Sequence, residues 1–341
     1  MQTKCLTQLD IQQAADILSG GGLVGIPTET VYGLGANGLN THAVARIFQA
    51  KGRPQDNPLI LHIPTASWLE RYCRDIPDAA YQLAERYWPG PMTMVLKRKD
   101  MVPDIVTAGL DTVGMRCPAH DLCRAIIAAA DVPVAAPSGN TSGRPSPTTA
   151  EHMLEDMNGK IEAIVDGGAS MVGLESTIID LTCTPPRLLR PGGVTLEQLR
   201  EVLGEVEVDP AVTRLMKDGE QPRAPGMKYR HYAPKAPVTV VTGAPDQTAR
   251  YIADNAAPFD GVICFDEYME LFTVQGNARS VKGVGPADDK EEQARHIFDA
   301  LRAFDHTDVS AIWAQCPDTD GIGLAIANRL NKAAGFHIVE V

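Results

Sequence analysis

Arg116 stands in Thr112-Val-Gly-Met-Arg116-Cys-Pro118, inside a strand-like apolar run. A guanidinium in such a place needs an anion, because an unpaired buried charge is strongly destabilising. That anion is either a structural carboxylate or the carboxylate or phosphate of a ligand. Arg53 offers a second planar fork for phosphate in Lys51-Gly-Arg53-Pro54, just before Asn57-Pro58. Two prolines stiffen that loop, and the competing reading is that Lys51 and Arg53 complement the C-terminal dipole of a helix. The stretch Ala136-Pro-Ser138-Gly-Asn140-Thr-Ser142-Gly-Arg144-Pro-Ser146 leaves a strand directly into hydroxyls, glycines and an arginine. Such a loop exposes small donors suited to phosphate or carboxylate, or else caps a helix at Thr148. Ser176-Thr177 opens another strand and Arg190 closes one, while Thr30 lies in Pro27-Thr-Glu-Thr30-Val-Tyr-Gly-Leu-Gly35 after a short apolar run. His62 lies near the end of the run Pro58–Ile63 and, taken alone, is more often a satisfied core histidine than a site residue. In a proline-punctuated stretch, Pro225-Gly-Met-Lys228-Tyr-Arg230-His231-Tyr232-Ala-Pro234 is too aromatic and basic for an idle linker. It either docks onto a domain or covers a ligand.

These groups include no Ser-His-Asp order, no metal-ligand cluster and no GxxxxGK[ST] loop. Gly33, Gly35 and Gly38 satisfy GxGxxG, with Asp56 beyond. Pro27 to Tyr32, however, separate them from the preceding strand, where a dinucleotide fingerprint needs a tight turn. Gly321-Ile-Gly323 reads as a helix start. What remains suits an anionic nucleotide and a small zwitterion, with catalysis from proximity and charge stabilisation rather than a covalent nucleophile.

The elements that must position these residues alternate between strand and helix. A helical pattern with Ile11, Ala14, Ala15 and Leu18 on one face runs from Asp10 to Gly20, then a strand covers Leu23–Ile26, and Asn40 or Thr41 caps a helix through Lys51. Strand-like runs recur at Pro58–Ile63, Met92–Lys97, Val113–Cys117, Val132–Ala136, Ile161–Val165, Thr177–Leu181 and Arg187–Arg190. This pattern predicts an α/β catalytic domain over 8–203 with a mixed sheet. Residues 204–236 read as an interdomain linker, and 237–341 as a smaller, doubly wound, Rossmann-like α/β C-terminal domain.

Composition sets the limits. The chain has 341 residues, 44% of them apolar and 22% charged, which is the balance of a globular protein. Its net charge of −12, concentrated after residue 236, counts against stable nucleic-acid binding and so against a reading as an RNA-binding module. Cys5, Cys73, Cys117, Cys123, Cys183, Cys264 and Cys316 form no CxxC pair and are expected to be mostly buried thiols. No membrane span or signal core is expected, which places the chain in the cytoplasm.

The segments PTETVYGLG, KGRPQDNPLILHI, TVGMRCP, APSGNTSGRPSPT, GLESTIID, LLRPGG and APGMKYRHYAP occur in this order. Together they resemble the YrdC-domain threonylcarbamoyl-AMP synthases from about residue 8 to 235, and GIGLAIANRLNKAA resembles the family's long, two-domain form. The resemblance implies a YrdC-like twisted mixed sheet around a concave pocket. It implies a nucleotidyltransferase that makes L-threonylcarbamoyl-AMP from L-threonine, bicarbonate and ATP, releasing pyrophosphate. The product is for threonylcarbamoylation of adenosine 37 in ANN-decoding tRNAs, passed on to a tRNA threonylcarbamoyltransferase. By motif position the resemblance assigns Thr30, His62, Arg116, Ala136 and Ser176 to threonine. It assigns Arg53, Asn57, Thr112, Ser138, Ser146 and Arg190 to ATP, with His231 and Tyr232 near the nucleotide. Mg²⁺ is expected to be held mainly by the ATP phosphates. No catalytic base is assigned.

Overall fold

A computed structural model describes residues 2–214, 216, 222–227, 231–274 and 280–341. Lys228 and Arg230 of the basic-aromatic stretch therefore lie outside the described residues. The chain divides into two compact units: Met1–Ser142 with Ser146–Val212 and Met216–Lys228, and a second made of Gly143–Pro145, Thr213–Leu215 and Tyr229–Val341.

In the first unit the strands are β1 (Lys4–Leu6), β2 (Val24–Ile26), β3 (Gly33–Asn37), β4 (Ile60–His62), β5 (Met92–Lys97), β6 (Thr112–Arg116), β7 (Val134–Ala135), β8 (Ala163–Val165), β9 (Thr177–Asp180), β10 (Arg187–Arg190) and β11 (Glu207–Val208). Among the described residues they form one mixed sheet in the order β1-β8-β2-β3-β7-β4-β6-β5-β9-β10-β11. Several neighbours in this sheet, such as β3 with β7 and β5 with β9, are far apart in sequence, so the sheet gathers distant motifs.

Local chemistry explains the helix that leads to the Lys51 loop. Asn40 adopts extended backbone and its side chain accepts from the amides of His42 and Ala43, capping the helix Thr41–Lys51, a contribution of about 1 kcal/mol. Gly52, at φ 62°, ends it in the left-handed conformation that glycine adopts without strain. Asp10 behaves differently: its carboxylate accepts from Thr7 N and Oγ1 at 2.8 and 2.9 Å, behind the start of the helix Ile11–Ser19. That helix and Asp121–Ala130 bury Leu18, Ile126 and Ile127 against Val24, Ile26, Val134 and Val165.

The glycines of PTETVYGLG do not form a turn: Gly33–Asn37 is strand β3, antiparallel to β2. Their role is close approach. A Cβ on Gly33 would lie 3.2 Å from the Ala136 Cβ, and one on Gly35 would lie 3.0 Å from a Val134 methyl. Within 204–236, β11 adds a parallel edge to β10. Ala211, Ala224 and Met227 pack onto Ile60, Val95 and Ile178, so part of this stretch docks on the sheet.

The second unit carries β12 (Val238–Thr242), β13 (Gly261–Cys264), β14 (Ser280–Gly283), β15 (Ile312–Gln315) and β16 (Ile338–Glu340). They form a parallel sheet in the order β14-β13-β15-β12-β16, joined by helices such as Pro245–Asn255 and Lys290–Ala303. Cys73, Cys117, Cys123, Cys264 and Cys316 are buried free thiols, Cys183 is half-buried and Cys5 exposed.

Candidate active site

The site begins as a row of side chains across the first sheet. His62 is the strand partner of Arg116, Arg116 is the partner of Thr93, and Thr93 is the partner of Ile178. Directly paired residues project from the same face, so three polar side chains on β4, β6 and β5 stand side by side. Ser176 precedes β9 and continues the row: its Oγ lies 2.8 Å from Thr93 Oγ1. Arg190 fixes that corner, donating from Nε and Nη2 to the Ser176 carbonyl at 3.0 and 2.9 Å and from Nη2 to Ser176 Oγ at 3.2 Å. All five side chains are buried. Ala136 joins them through its amide, which donates to the Ile60 carbonyl at 3.1 Å, beside His62 on β4.

The loop Pro27–Tyr32 closes this row. Thr28 Oγ1 donates to Val31 O at 2.6 Å and lies 2.8 Å from Thr30 Oγ1, making a tight hydroxyl turn around the fully buried Thr30. Ser170 Oγ donates to Thr28 O and Val172 N donates to Glu29 O, which ties the loop to the segment before β9. Tyr32 OH donates to Gly168 O at 2.7 Å, and burial pushes its phenol up to about 12. Glu29, between the two threonines, reaches Arg116: Oε1 accepts from Nη2 at 2.7 Å, with only 7% and 5% of the two side chains exposed. The pair is joined at that single point. Glu29 Oε2 and Arg116 Nε are both buried and have no hydrogen-bond partner among the described residues. His62, alongside, is pushed down to about 3, first by burial and then by the Arg116 charge, so its imidazole is neutral near pH 7.

The nucleotide residues of the sequence reading take positions around this row. Thr112 is on β6, two residues before Gly114 and four before Arg116; with Pro58, Thr93, Ile178, Arg223 and Pro225 it lines a narrow crevice of about 10 Å³. Arg53 donates from Nη2 to the carbonyls of Asn57 and Pro58 at 3.2 and 3.1 Å, closing its own loop. Asn57 is buried, and its Oδ1 has no hydrogen-bond partner among the described residues. Ser138 bridges to Gly33, which brings the two glycine-hydroxyl loops together. Buried Lys51 donates to the carbonyls of Ser138 and Asn140, so it clamps that loop as well as standing at a helix end. Ser146 Oγ donates to Glu175 Oε1, next to Ser176. Among the described residues, no three His, Cys, Asp or Glu side chains gather as they would around a metal ion.

Thr30, His62, Arg116, Ala136 and Ser176 thus share one group of strands and the loop against it. His231 and Tyr232 fall in the second unit, where the Tyr232 ring packs 5.2 Å from Phe298 and the Arg329 guanidinium lies 5.5 Å from its centroid. Arg144 also belongs there and pairs with Asp305 at 2.9 Å, so the arginine of the hydroxyl loop serves packing. Sequence reasoning missed Glu29, Thr93 and Glu175. The signal for Glu29 was its place between two threonines; Thr93 and Glu175 carried none without knowledge of which strands pair.

Known proteins share this architecture. Residues 16–192 match the Sua5_yciO_yrdC family, described as telomere recombination, and residues 194–335 match the threonylcarbamoyl-AMP synthase C-terminal domain. The threonylcarbamoyl-AMP synthase of Pyrococcus abyssi is 49% identical, over 97% of this chain and 96% of its own length. That of Bacillus subtilis is 46% identical, over 97% and 94%. The crystal structure of P. abyssi Sua5 complexed with L-threonine superposes with a TM-score of 0.92 at 47% identity, covering 100% of both chains.

Proposed function

The chain belongs to the Sua5–YciO–YrdC family and carries that family's threonylcarbamoyl-AMP synthase C-terminal domain, and from this we infer that it is a nucleotidyltransferase making L-threonylcarbamoyl-AMP. L-threonine, bicarbonate and ATP are the substrates and pyrophosphate is released. The product serves threonylcarbamoylation of adenosine 37 in ANN-decoding tRNAs and passes to the transferase that performs it. No helix among the described residues is long and apolar enough to cross a membrane, and we place the reaction in the cytoplasm.

The observation that carries this reading is the buried row of Arg116, His62, Thr93 and Ser176 closed by the Thr30 loop. It is a small polar cluster with one guanidinium, a neutral imidazole and three hydroxyls, which suits a small hydroxylated amino acid. Arg116 meets the threonine carboxylate, and the neutral His62 and the hydroxyls of Thr30 and Ser176 bond its polar groups. The amine, once carboxylated, becomes a carbamate, whose oxygen attacks the α-phosphorus while pyrophosphate leaves. Both reactants are anionic, so catalysis rests on holding them in line against their repulsion. We place the phosphates against Arg53, Asn57, Thr112, Ser138, Ser146 and Arg190, with Lys51 holding the Ser138 carbonyl in place. Arg190 serves both ends, since its guanidinium already orders Ser176. Mg²⁺ would be carried mainly by the phosphates and would supply charge neutralisation there. Pyrophosphate release measured with each substrate omitted tests the reading. Release must require threonine, bicarbonate and ATP together.

A further inference from the structure

The reaction needs a group that takes the proton from threonine's ammonium, since only the free amine attacks bicarbonate or CO₂. We propose that Glu29 is that group: its Oε2 receives the α-ammonium of threonine and then its proton, while Arg116 holds the carboxylate. This rests on the threonine-dependent synthesis inferred above.

The two side chains are complementary to a zwitterion. Glu29 and Arg116 are joined by a single bond, Nη2 to Oε1 at 2.7 Å. Each keeps one buried atom without a hydrogen-bond partner among the described residues, an acceptor on Glu29 and a donor on Arg116. Buried polar atoms are nearly always paired, and one that is not calls for a missing partner. An α-amino acid brings both kinds at once, a carboxylate for the donor and an ammonium for the acceptor. Glu29 is also well placed by its backbone, since Val172 N holds its carbonyl at 2.7 Å and Thr30, assigned to threonine, follows it. His62 is a poor alternative, being deeply buried beside a cation.

The step balances. The ammonium gives its proton to the Glu29 carboxylate, leaving a free amine and a carboxylic acid. The amine then combines with bicarbonate to give the carbamate and water. The carbamate displaces pyrophosphate from ATP, and Glu29 returns its proton to solvent as product leaves.

Glu29 faces Arg116 on β6, with Cys117 after it, Cys123 on the helix Asp121–Ala130 and His62 beyond Arg116, while Arg124 acts on the two thiols. Burial pushes Cys117 up to about 11 and Cys123 up as well, and His62 is down at about 3. Neither these thiols nor His62 changes charge between about pH 6 and pH 9, and the titration of bicarbonate and ATP is common to both proteins, so the ratio of variant to wild type over that window reports the substrate amine.

The test is Glu29→Gln, read by kcat/KM for threonine in pyrophosphate release from about pH 6 to pH 9. The expected loss near neutrality is on the order of 100-fold or more, the usual range for a lost general base. It shrinks as pH rises, because solvent then supplies the free amine. Glu29→Asp keeps the base and recovers part of the rate. Calorimetry on the folded Glu29→Gln protein adds a second readout. Wild type prefers threonine over its analogue with hydroxyl in place of the amine, and the variant loses that preference while binding ATP as before. A loss equal at every pH, or a variant as active as wild type, overturns the proposal. Wild type that releases pyrophosphate without threonine would instead overturn the underlying synthase reading.

Discussion

Arg116 and Glu29 face each other at 2.7 Å with both side chains over nine-tenths buried, although they are 87 residues apart in sequence. The ion pair answers why a guanidinium can stand inside a strand: a carboxylate from the loop after β2 neutralises it. It also leaves the arginine half-used, with Nε still seeking an acceptor. Structure and binding are therefore joined in one residue, and substitution should reveal both roles.

Arg116→Ala is expected to raise the threonine KM by roughly 10- to 100-fold while the ATP KM moves little, since a charge-assisted contact to the carboxylate is lost. It should also lower stability by about 3–5 kcal/mol, because Glu29 is left buried and unpaired. Arg116→Met combined with Glu29→Leu removes both charges. Urea denaturation should find the double variant more stable than Arg116→Ala, although it makes no product. Equal effects on the two substrates would contradict the assignment of Arg116.

His62 sets a dependence of stability on pH. The unfolded chain protonates this histidine near 6.5, but the folded chain does so only near 3. Between those values unfolding takes up a proton, so stability falls as pH drops from about 6.5 toward 3 and gains nothing from His62 above that window. Moving wild type from about pH 7.5 to pH 5 should cost about 1–2 kcal/mol more than the same change costs His62→Gln. Parallel losses in the two proteins, measured by urea unfolding, would show that His62 titrates normally.

Gly192 follows Arg190 and supports the same corner from below. A Cβ there would lie 2.3 Å from Thr177 N, 2.4 Å from Glu175 O and 2.5 Å from the Ser176 carbonyl carbon, all of them backbone atoms that cannot rotate away. Gly192→Ala should therefore destabilise the protein by about 1–3 kcal/mol and shift Ser176, raising the threonine KM. Unchanged thermal unfolding would show that the 175–177 segment yields freely.

Lys51 is buried at the end of its helix with its ammonium on the carbonyls of Ser138 and Asn140. Lys51→Met keeps the apolar stem and frees both carbonyls. The expected result is a several-fold higher ATP KM with a nearly unchanged threonine KM, from steady-state pyrophosphate release. A change confined to threonine would place the Ser138 loop at the other substrate.

Much of this site was legible in the sequence because its chemistry is local. Hydroxyls and glycines after a strand, or an arginine at a strand's end, announce themselves within a dozen residues, as at Ser138–Ser146 and Arg190. The residues that stayed hidden depend on pairing. Thr93 reads as an ordinary strand residue until β5 lies parallel to β9 and its hydroxyl meets Ser176. Glu29 reads as a loop acid until β6 brings Arg116 beneath it. Gly33 and Gly35 suggest a turn by residue type alone, because glycine marks turns more often than close approach, and only the position of Ala136 and Val134 reverses that. In the second unit β12, β13, β15 and β16 are legible as short apolar runs, whereas β14 is not, and the strand order, with β15 between β12 and β13, is not encoded in periodicity.

The most direct measurement is pyrophosphate release from ATP by the purified chain, with and without L-threonine and bicarbonate. Release that needs all three, with threonylcarbamoyl-AMP formed in equal amount, is the predicted result. Pyrophosphate released at the same rate without threonine, or none with all three present, would contradict the assignment.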